Sequence, residues 1–446
     1  MKRILALGLT AALLFSLSAC GSTDGTKTVT TVPTAGTETA SETGDTAAET
    51  GTPDSGSTLY KDVVSVPDTL LDHEAAATDT GDITVTEQMI TDSVINQGNI
   101  TRLANAMVKA ANGEEITIAY LGGSITDGSS ASPQATKCYA YLSHEWWTET
   151  FPDATVNYVN AGIGATDSYL GVHRVQSDVL DYNPDVVIVE FSVNDYKQVN
   201  EESYESLIRR ILSWESEPAV ICLFLTQESF SDYQSVHQVL AYKAEVPMIS
   251  YRNVLYNCVE AGTLSWSDVG ATDGTHPVNA GHALIANLLT NFYRSVLEQI
   301  PTMEYDPYEL PSLTSTKCRY MNAEMYTSSE ITPTESEGFE TTTISHPFSE
   351  AWKTTTGGSI SFEVTGANFG IVFYGTTDGK SGQFDVYIDG EFQTTIDGNF
   401  VGQWGSYAGY QEIVKLKESG THTITVSKNP DSEGEQFTIL GIEVSG

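Results

Sequence analysis

The sequence is poor in positive charge. It contains 21 Lys and Arg against 59 Asp and Glu, which gives a formal net charge of −38 and a pI near 4.3. A chain of this charge repels polyanions at neutral pH. The composition therefore argues strongly against nucleic acid or an anionic membrane surface as a partner, but it does not identify a substrate.

Cysteine is also scarce, with five in 446 residues. No Cys-x-x-Cys pair and no paired histidine spacing occurs, so we expect no metal site. Cys222 lies inside an apolar run and is predicted to be a core thiol. No pattern supports a disulfide among the other cysteines that follow residue 20, which are Cys138, Cys258 and Cys318.

The apolar run at the N-terminus, residues 4–17, is too short to span a membrane. It follows a basic start, Met1-Lys2-Arg3, which is typical of a signal peptide. The sequence Leu17-Ser18-Ala19-Cys20 resembles a bacterial lipobox, in which the Cys20 thiol carries the lipid. The alternative is a plain secretory signal with an unrelated cysteine. Both interpretations predict export, and the first predicts a cell-surface lipoprotein with its signal segment in residues 1–20.

Residues 21–58 lack the apolar content of a folded segment, since they are almost all Thr, Ser, Gly, Ala and Glu. Such a composition does not offset the entropy lost on ordering, so we predict a disordered tether or spacer. Residues 59–98 contain enough apolar side chains to pack on a domain. We expect them to be an N-terminal extension in which residues 86–95 form an edge strand or a helical turn.

Helical and extended patterns alternate between residues 99 and 300. The extended runs are nearly continuously apolar, which is typical of a parallel sheet covered on both faces. We therefore predict a flavodoxin-like, doubly wound α/β/α sandwich. The predicted helices are residues 103–111, 139–150, 167–180, 201–214, 234–244 and 280–297, and the predicted strands are 116–121, 155–159, 185–191, 219–225 and 246–251.

The pattern changes after Pro301. Short runs alternate apolar and polar residues, and turn signals such as Asp389-Gly390 separate them, with no helical pattern in between. Residues 301–446 are therefore predicted to be a linker and an antiparallel β-sandwich of jelly-roll type. The predicted strands are residues 359–364, 370–374, 383–388, 412–417, 421–427 and 437–444.

The first strand of the α/β region ends in Gly122-Gly123-Ser124. The glycines permit a sharp turn that presents the Ser124 hydroxyl at the carboxyl edge of the sheet. A serine nucleophile would occupy this position, although Gly-Gly-Ser also makes ordinary turns. The hypothesis therefore requires a base and an acid elsewhere in the chain.

Asp273 and His276 provide these groups in the sequence Asp-Gly-Thr-His-Pro. A serine nucleophile needs a base to take its proton and a carboxylate to orient that base. Three residues apart in one turn, the two side chains can meet. The alternative for Asp273 is an N-cap of the following helix, and the alternative base is His282.

Two strand ends between these motifs place small or amide-bearing residues where an oxyanion hole requires them. One is the run from Asn160 to Ala165, and the other carries Asn194 and Asp195. Asn at a strand end is also a common turn residue, and Asp195 is interpreted as structural.

The four blocks, in this order, resemble the SGNH hydrolases, a branch of the GDSL-type esterases, over roughly residues 99–300. The resemblance implies a serine esterase without a metal or organic cofactor. Its first block reads Gly-Gly-Ser instead of Gly-Asp-Ser, a variation associated with carbohydrate-directed members. The implied site consists of Ser124 as nucleophile, His276 as base, Asp273 as orienting acid, and the Ser124 N–H and Asn194 amide as oxyanion donors.

The remaining oxyanion donor is the backbone N–H of either Gly164 or Ala165. Alanine is acceptable there if its φ stays negative. Two tryptophans are candidate substrate contacts. Trp266 either walls an acyl or sugar pocket or belongs to the core, and Trp404 of the β-sandwich either holds polysaccharide or turns inward.

The resemblance, the tether and the β-sandwich together predict an exported esterase that removes acetyl groups from a polysaccharide such as xylan or mannan. The predicted partner is the acylated polysaccharide, with membrane contact only through the lipid anchor and no protein partner. One alternative is a lipid-directed acylhydrolase or lysophospholipase, although the sequence shows no apolar lid. Another is a non-catalytic glycan-binding lipoprotein, which would not need Ser, Asn, Asp and His together.

Overall fold

The computed structural model describes residues 80–304, 306–345, 347–402 and 405–446. The predicted signal peptide, Cys20, the tether and residues 59–79 lie outside the described residues, and so does Trp404. What the sequence predicts for them stays a prediction.

The first domain alternates helices and strands. The helix Tyr139–Thr150 begins and ends where the sequence pattern places it, and the other predicted helices agree within three residues at each end. The helices are α1 Glu87–Ser93, α2 Thr101–Ala111, α3 Ser124–Asp127, α4 Gln134–Lys137, α5 Tyr139–Thr150, α6 Ser168–Asp178, α7 Gln198–Leu212, α8 Gln234–Lys243, α9 Tyr251–Glu260, α10 Trp266–Val269 and α11 Asn279–Gln299. The strands are β1 Val94–Asn96, β2 Glu115–Gly122, β3 Thr155–Gly162, β4 Val186–Glu190, β5 Ala219–Phe224 and β6 Met248–Ser250.

These strands form one sheet in the order β1-β6-β5-β4-β2-β3. Strands β2 to β6 are parallel, and β1 is antiparallel to β6. The predicted flavodoxin-like fold is confirmed, because β2 lies between β3 and β4. The chain passes from β2 to β3 on one side and then crosses back to β4 on the other. This reversal opens a crevice at the carboxyl end of β2, where ligands bind in this class of sheet.

Both faces of the sheet are buried. Alternate side chains of β2 enter separate cores, with Ile118 and Tyr120 on the side of α2, α5 and α11, and Ala119 and Leu121 on the side of α6 and α7. Burying one large apolar side chain contributes about 1.5–3 kcal/mol. The carboxyl end of β2 is thus held by packing on both faces of the sheet.

The sequence prediction is wrong at the end of the fifth strand. Residues 246–251 were expected to be extended, but β6 covers only Met248–Ser250 and α9 begins at Tyr251. The Ser250 hydroxyl accepts a hydrogen bond from the Asn253 N–H at 2.9 Å, so it caps α9. The apolar residues that follow the strand belong to this helix.

The described part of the N-terminal extension contains both structures considered for it. The helix α1 is capped by Thr86, whose hydroxyl accepts from the Met89 N–H, and the edge strand β1 follows at once. Val94 lies opposite Ile249 of β6. This segment is therefore an integral edge of the sheet.

The second domain is the predicted antiparallel β-sandwich, with its own apolar core. Several predicted strands are halves of longer ones. Residues 359–364 and 370–374 both belong to β9, and residues 412–417 and 421–427 both belong to β12. The strands are β7 Glu324–Tyr326, β8 Glu335–Thr343, β9 Glu350–Gly375, β10 Gln383–Ile388, β11 Glu391–Asp397, β12 Tyr407–Lys428 and β13 Phe437–Ser445.

Neighbouring strands of this domain run antiparallel, as a predicted turn and the strand registers show. Asp389 and Gly390, with φ of 51° and 81°, join β10 to β11 in a hairpin. Along β13, Ile442 lies opposite Ile371 and Ser445 lies opposite Asn368. The partner number falls as the chain number rises, so β13 runs antiparallel to this half of β9.

The two domains share an apolar cluster. Ile163 and Leu170 of the first domain pack with Val372, Ala408 and Leu440 of the β-sandwich. Ile163 directly follows β3, at the carboxyl edge of the parallel sheet. The β-sandwich is therefore packed beside the crevice at the end of β2.

Candidate active site

Ser124 lies at the turn where β2 ends. Gly123 has extended dihedrals, with φ of −90° and ψ of −151°, and Ser124 then begins the short helix α3. A Cβ atom on residue 123 would lie 2.3 Å from the side-chain oxygen of Asn194, so any residue larger than glycine requires the Asn194 side chain to move. This contact gives a physical reason for Gly-Gly-Ser in place of Gly-Asp-Ser.

A continuous hydrogen-bonded line joins Ser124, His276 and Asp273. The Ser124 Oγ lies 2.8 Å from His276 Nε2, and His276 Nδ1 lies 2.7 Å from Asp273 Oδ2. With a carboxylate at Nδ1, that nitrogen carries the proton, and Nε2 presents its lone pair to the serine hydroxyl. All three side chains are partly exposed, which leaves the serine accessible.

Asp273 also fixes the loop that carries the histidine. Its Oδ1 accepts from the backbone N–H groups of Thr275 at 2.9 Å and His276 at 3.0 Å. Partial burial opposes ionisation, but the hydrogen bonds from His276 and Thr275 outweigh it and lower the pKa of Asp273 to about 2. Helix α11 begins later, at Asn279, with Val278 as its cap, so Asp273 does not serve as its N-cap.

The loop after β3 lies beside the serine. The nearest atom to a Cβ placed on Gly164 would be the Ser124 Cβ, at 3.8 Å. Ala165 does not meet the condition of a negative φ, because its φ is 60°, in the left-handed region. Gly164 therefore lies beside Ser124, as an oxyanion donor requires.

Residues 120–284 match the GDSL-like Lipase/Acylhydrolase family. Among solved structures, a two-domain esterase (CEX) active on acetylated mannans is similar over 80% of this chain and 98% of that chain, at 30% identity and a TM-score of 0.73. The same esterase co-crystallised with mannopentaose matches at 31% identity, with the same TM-score and coverage. The chain belongs to the GDSL-like lipase/acylhydrolase family.

The SGNH resemblance is therefore confirmed, and the protein is a carboxylic ester hydrolase. Axe2, an acetylxylan esterase from Geobacillus stearothermophilus, matches more weakly, at 20% identity and a TM-score of 0.35, over 40% of this chain and 94% of that one. No curated protein sequence matches the chain.

Sequence reasoning missed a buried arginine of this GDSL-like hydrolase. The Arg174 guanidinium is fully buried on α6 and donates to the carbonyl oxygens of Gly122 and Ala161, at the ends of β2 and β3. It also pairs with Asp178 at 2.8 Å. Nothing in the local sequence distinguishes it from partly exposed arginines of other helices, such as Arg102 and Arg252.

Two carboxyl groups near the nucleophile were also missed. Burial raises the pKa of Asp127, at the end of α3, to about 6. The hydrogen bond from Gln134 and the charge of His276 lower this pKa and offset only part of the effect of burial. Burial likewise raises the pKa of Glu190 to about 7, and its carboxylate accepts from the Thr126 hydroxyl at 3.3 Å. A sequence signal existed for Glu190, since it ends a strand whose other residues are all Val or Ile.

Two alternatives from the sequence are resolved by contacts. His282 is buried, with Nδ1 accepting from the Tyr139 N–H at 3.2 Å and Nε2 3.1 Å from the Ser129 carbonyl oxygen, so neither nitrogen is available as a base. The Trp266 ring covers Gly270 and its N–H donates to the Ala271 carbonyl oxygen at 2.8 Å. Trp266 thus supports the loop before Asp273, in agreement with its core alternative.

Within the described ranges, no group of three or more His, Cys, Asp or Glu is arranged to hold a metal ion. Over the same residues, no helix is both long enough and apolar enough to cross a membrane. The cysteines in this part of the chain are free thiols, and Cys222 is fully buried in a core cluster as predicted.

Proposed function

We propose that this hydrolase removes acetyl groups from an extracellular polysaccharide, with acetylated mannan as the first candidate and acetylated xylan as the second. The observation that carries the proposal is the line from Ser124 through His276 to Asp273 at the mouth of the crevice. The two-domain esterase, which is matched along 98% of its own length, acts on acetylated mannans.

In the proposed reaction, His276 Nε2 takes the Ser124 proton as Oγ attacks the ester carbonyl carbon. The negative charge that forms on the carbonyl oxygen is stabilised by the N–H groups of Ser124 and Gly164 and by the Asn194 amide. The imidazolium, stabilised by the Asp273 carboxylate, then protonates the leaving sugar oxygen. A water molecule deprotonated by His276 attacks the acyl-enzyme and releases acetate.

The surroundings of the site support a carbohydrate as the leaving group. Tyr196 follows Asn194 by two residues and is 73% exposed, which offers a flat aromatic ring at the rim of the crevice. Sugar rings present apolar C–H faces that pack on such rings, while their hydroxyls bond to nearby polar groups. The β-sandwich packs beside the same rim and lengthens the surface along which a chain of sugars can lie.

The N-terminal residues support an extracellular location. The basic start, the apolar run and the lipobox-like sequence before Cys20 favour a lipoprotein that is exported and then anchored. The proposed organisation is a signal segment of residues 1–20, a tether of 21–58, an extension of 59–98, a catalytic domain of 99–300, and a linker with the β-sandwich of 301–446.

The decisive experiment measures acetate release from acetylated mannan, xylan and pectin, beside turnover of an aryl acetate and an aryl decanoate. We expect Ser124→Ala to lose several orders of magnitude in kcat with an unchanged circular dichroism spectrum. Ser129→Ala is the matched control and keeps full activity, because Ser129 contacts His282 through its backbone carbonyl oxygen, which the substitution leaves in place. Substantial activity in Ser124→Ala contradicts the proposed site. Faster turnover of the decanoate than of any polysaccharide contradicts the substrate and favours a lipid-directed enzyme.

A further inference from the structure

A pair of buried carboxylates ties together the two loops that carry the proposed oxyanion donors. Asp167 follows Ala165 by two residues, and Asp195 directly follows Asn194. Asp195 Oδ1 accepts from the Ser168 N–H at 2.8 Å, across from one loop to the other. A second bridge runs from the Asn200 amide to Asp167 Oδ2 at 3.0 Å.

Groups of the first domain hold both carboxylates in place. Asp195 Oδ2 lies 2.9 Å from His237 Nε2, and both side chains are fully buried. Asp167 Oδ1 caps α6 by accepting from the Leu170 N–H at 3.2 Å. Both carboxylates therefore have fixed positions, and a movement of either one moves an adjacent oxyanion donor.

The β-sandwich supplies another partner of Asp167. The Tyr410 hydroxyl, on β12, donates to Asp167 Oδ2 at 2.8 Å. The Tyr410 ring stacks on Tyr169 with centroids 4.6 Å apart and planes inclined by 22°. Lys197 Nζ donates to the Tyr410 hydroxyl at 3.1 Å and lies 4.4 Å from the ring centroid. The tyrosine is thus held at its ring and at its hydroxyl.

We propose that Tyr410 is a positioning residue of the esterase, through which the β-sandwich sets the geometry of the oxyanion hole. It does not touch the substrate in this proposal. It holds Asp167, and Asp167 holds the loop with Gly164 against the loop with Asn194. The proposal rests on the proposed function, because it assumes that Ser124 is the nucleophile and that these loops provide the oxyanion donors.

The test uses the full chain with Tyr410→Phe and a small aryl acetate, which reacts at Ser124 without reaching along the β-sandwich. We expect kcat to fall about tenfold with KM unchanged within a factor of two, because outright removal of one oxyanion donor costs about 100-fold or more. The matched control is Tyr320→Phe. Tyr320 is a fully buried tyrosine whose ring also contacts Tyr169, but its hydroxyl donates to Glu412, on the same strand as Tyr410.

A second readout reports the oxyanion hole directly. Phenylboronic acid forms a reversible tetrahedral adduct with a serine oxygen, and its dissociation constant for Tyr410→Phe should rise by about the same factor as kcat falls. Tyr320→Phe should bind it as the wild type does. Equal losses of kcat in the two tyrosine variants, or a lower kcat in Tyr410→Phe without weaker boronate binding, overturn the positioning role.

The same assays distinguish a wrong proposed function from a wrong positioning role. If Ser124→Ala retains turnover of the aryl acetate, the nucleophile is misassigned and the proposed function fails. If Ser124→Ala is inactive while Tyr410→Phe matches the wild type, only the positioning role is overturned.

Discussion

The Arg174 guanidinium donates a hydrogen bond of 3.0 Å to the carbonyl oxygen of Gly122, the last residue of β2. A second bond of 2.7 Å reaches the Ala161 carbonyl oxygen near the end of β3. One buried cation therefore fastens the strand that leads to Ser124 to the strand that leads to the Gly164 loop. The fork of a guanidinium suits this task, because its N–H groups point in fixed directions.

We expect Arg174→Lys to lower both stability and turnover. A lysine has one nitrogen in place of the fork and cannot bond both carbonyls and Asp178 in the same geometry. The expected loss in kcat is about tenfold, with a melting temperature lower by about 5 °C, as for other broken buried networks. Arg252→Lys is the control, since Arg252 is a partly exposed arginine, 3.5 Å from Asp232. Wild-type kcat and melting temperature in Arg174→Lys would contradict the proposed clamp.

Restoring the more familiar Gly-Asp-Ser sequence should harm this enzyme. In Gly123→Asp, the new Cβ would lie 2.3 Å from the Asn194 side-chain oxygen, so the amide must move away from the proposed oxyanion site. We expect a loss in kcat of about 100-fold, close to that of Asn194→Ala, since both remove the same donor. The measurement is aryl acetate turnover for the two single variants and the double variant. Additive losses in the double variant would show that the two changes act independently and would contradict this account.

The two oxygens of Asp273 have separate acceptor roles, and this predicts the effect of Asp273→Asn. An asparagine has one acceptor oxygen, so it cannot serve both the His276 ring and the Thr275 and His276 backbone N–H groups. We expect kcat to fall about 100-fold, whereas His276→Ala should be as damaging as Ser124→Ala. Asp268→Asn, an exposed carboxylate near this loop, should behave as wild type. Nearly wild-type activity in His276→Ala would mean that the base lies elsewhere.

The stability of the protein should depend on pH through Glu443, on β13 at the domain interface. Burial raises the pKa of Glu443 well above 4.5. The negative charges of Asp167 and Glu412 raise this pKa further, whereas the positive charge of Lys197 lowers it. Both carboxyl oxygens are buried and have no hydrogen-bond partner among the described residues. His173 Nδ1 lies 3.7 Å away, but burial lowers the pKa of His173 to about 4, so its ring is neutral at neutral pH.

The direction of this pH dependence follows from which state, folded or unfolded, loses the Glu443 proton first. Above pH 4.5 the unfolded chain releases the Glu443 proton while the folded protein retains it, so stability falls as pH rises. Above pH 4.5, each pH unit lowers the free energy of unfolding by about 1.4 kcal/mol. A change of 1 kcal/mol shifts the melting temperature by about 2–4 °C. Relative to Glu443→Gln, the melting temperature of the wild type should fall by about 3–6 °C for each pH unit above about pH 5 through which the folded protein keeps this proton. The exposed Glu391→Gln should show no such trend, and a constant difference for Glu443→Gln would contradict a neutral carboxyl group.

The sequence was sufficient to predict the sheet, the β-sandwich and the motifs that bring Ser124, His276 and Asp273 together, because these depend on local patterns. Apolar periodicity predicted β2 to β5, and glycine turns marked the strand ends where Ser124 and Asn194 lie. The residues that hold those groups in place come from distant parts of the chain. Arg174 contacts carbonyl oxygens on two other strands, and Tyr410 follows Asp167 by 243 residues. A backbone carbonyl oxygen belongs to every residue, so no sequence pattern reveals which one a buried arginine will bind.

The error at β6 and the positive φ at Ala165 have local causes of another kind. Apolar residues that follow Ser250 suit a buried strand and a buried helix equally, and the hydroxyl cap that decides between them is visible only in three dimensions. At Ala165 the surrounding loop imposes a conformation that the side chain alone disfavours.

The apolar cluster between the domains bears on how this architecture can be inherited and engineered. Exchanging the β-sandwich for an unrelated module would leave Ile163 and Leu170 facing water, next to the loop that supports the serine. Calorimetry of the intact chain should then show one cooperative unfolding transition for both domains, and the first domain expressed alone should aggregate. In contrast to a binding module joined by a flexible linker, this β-sandwich cannot be shuffled as a separate cassette, and the two domains would have to evolve as one unit.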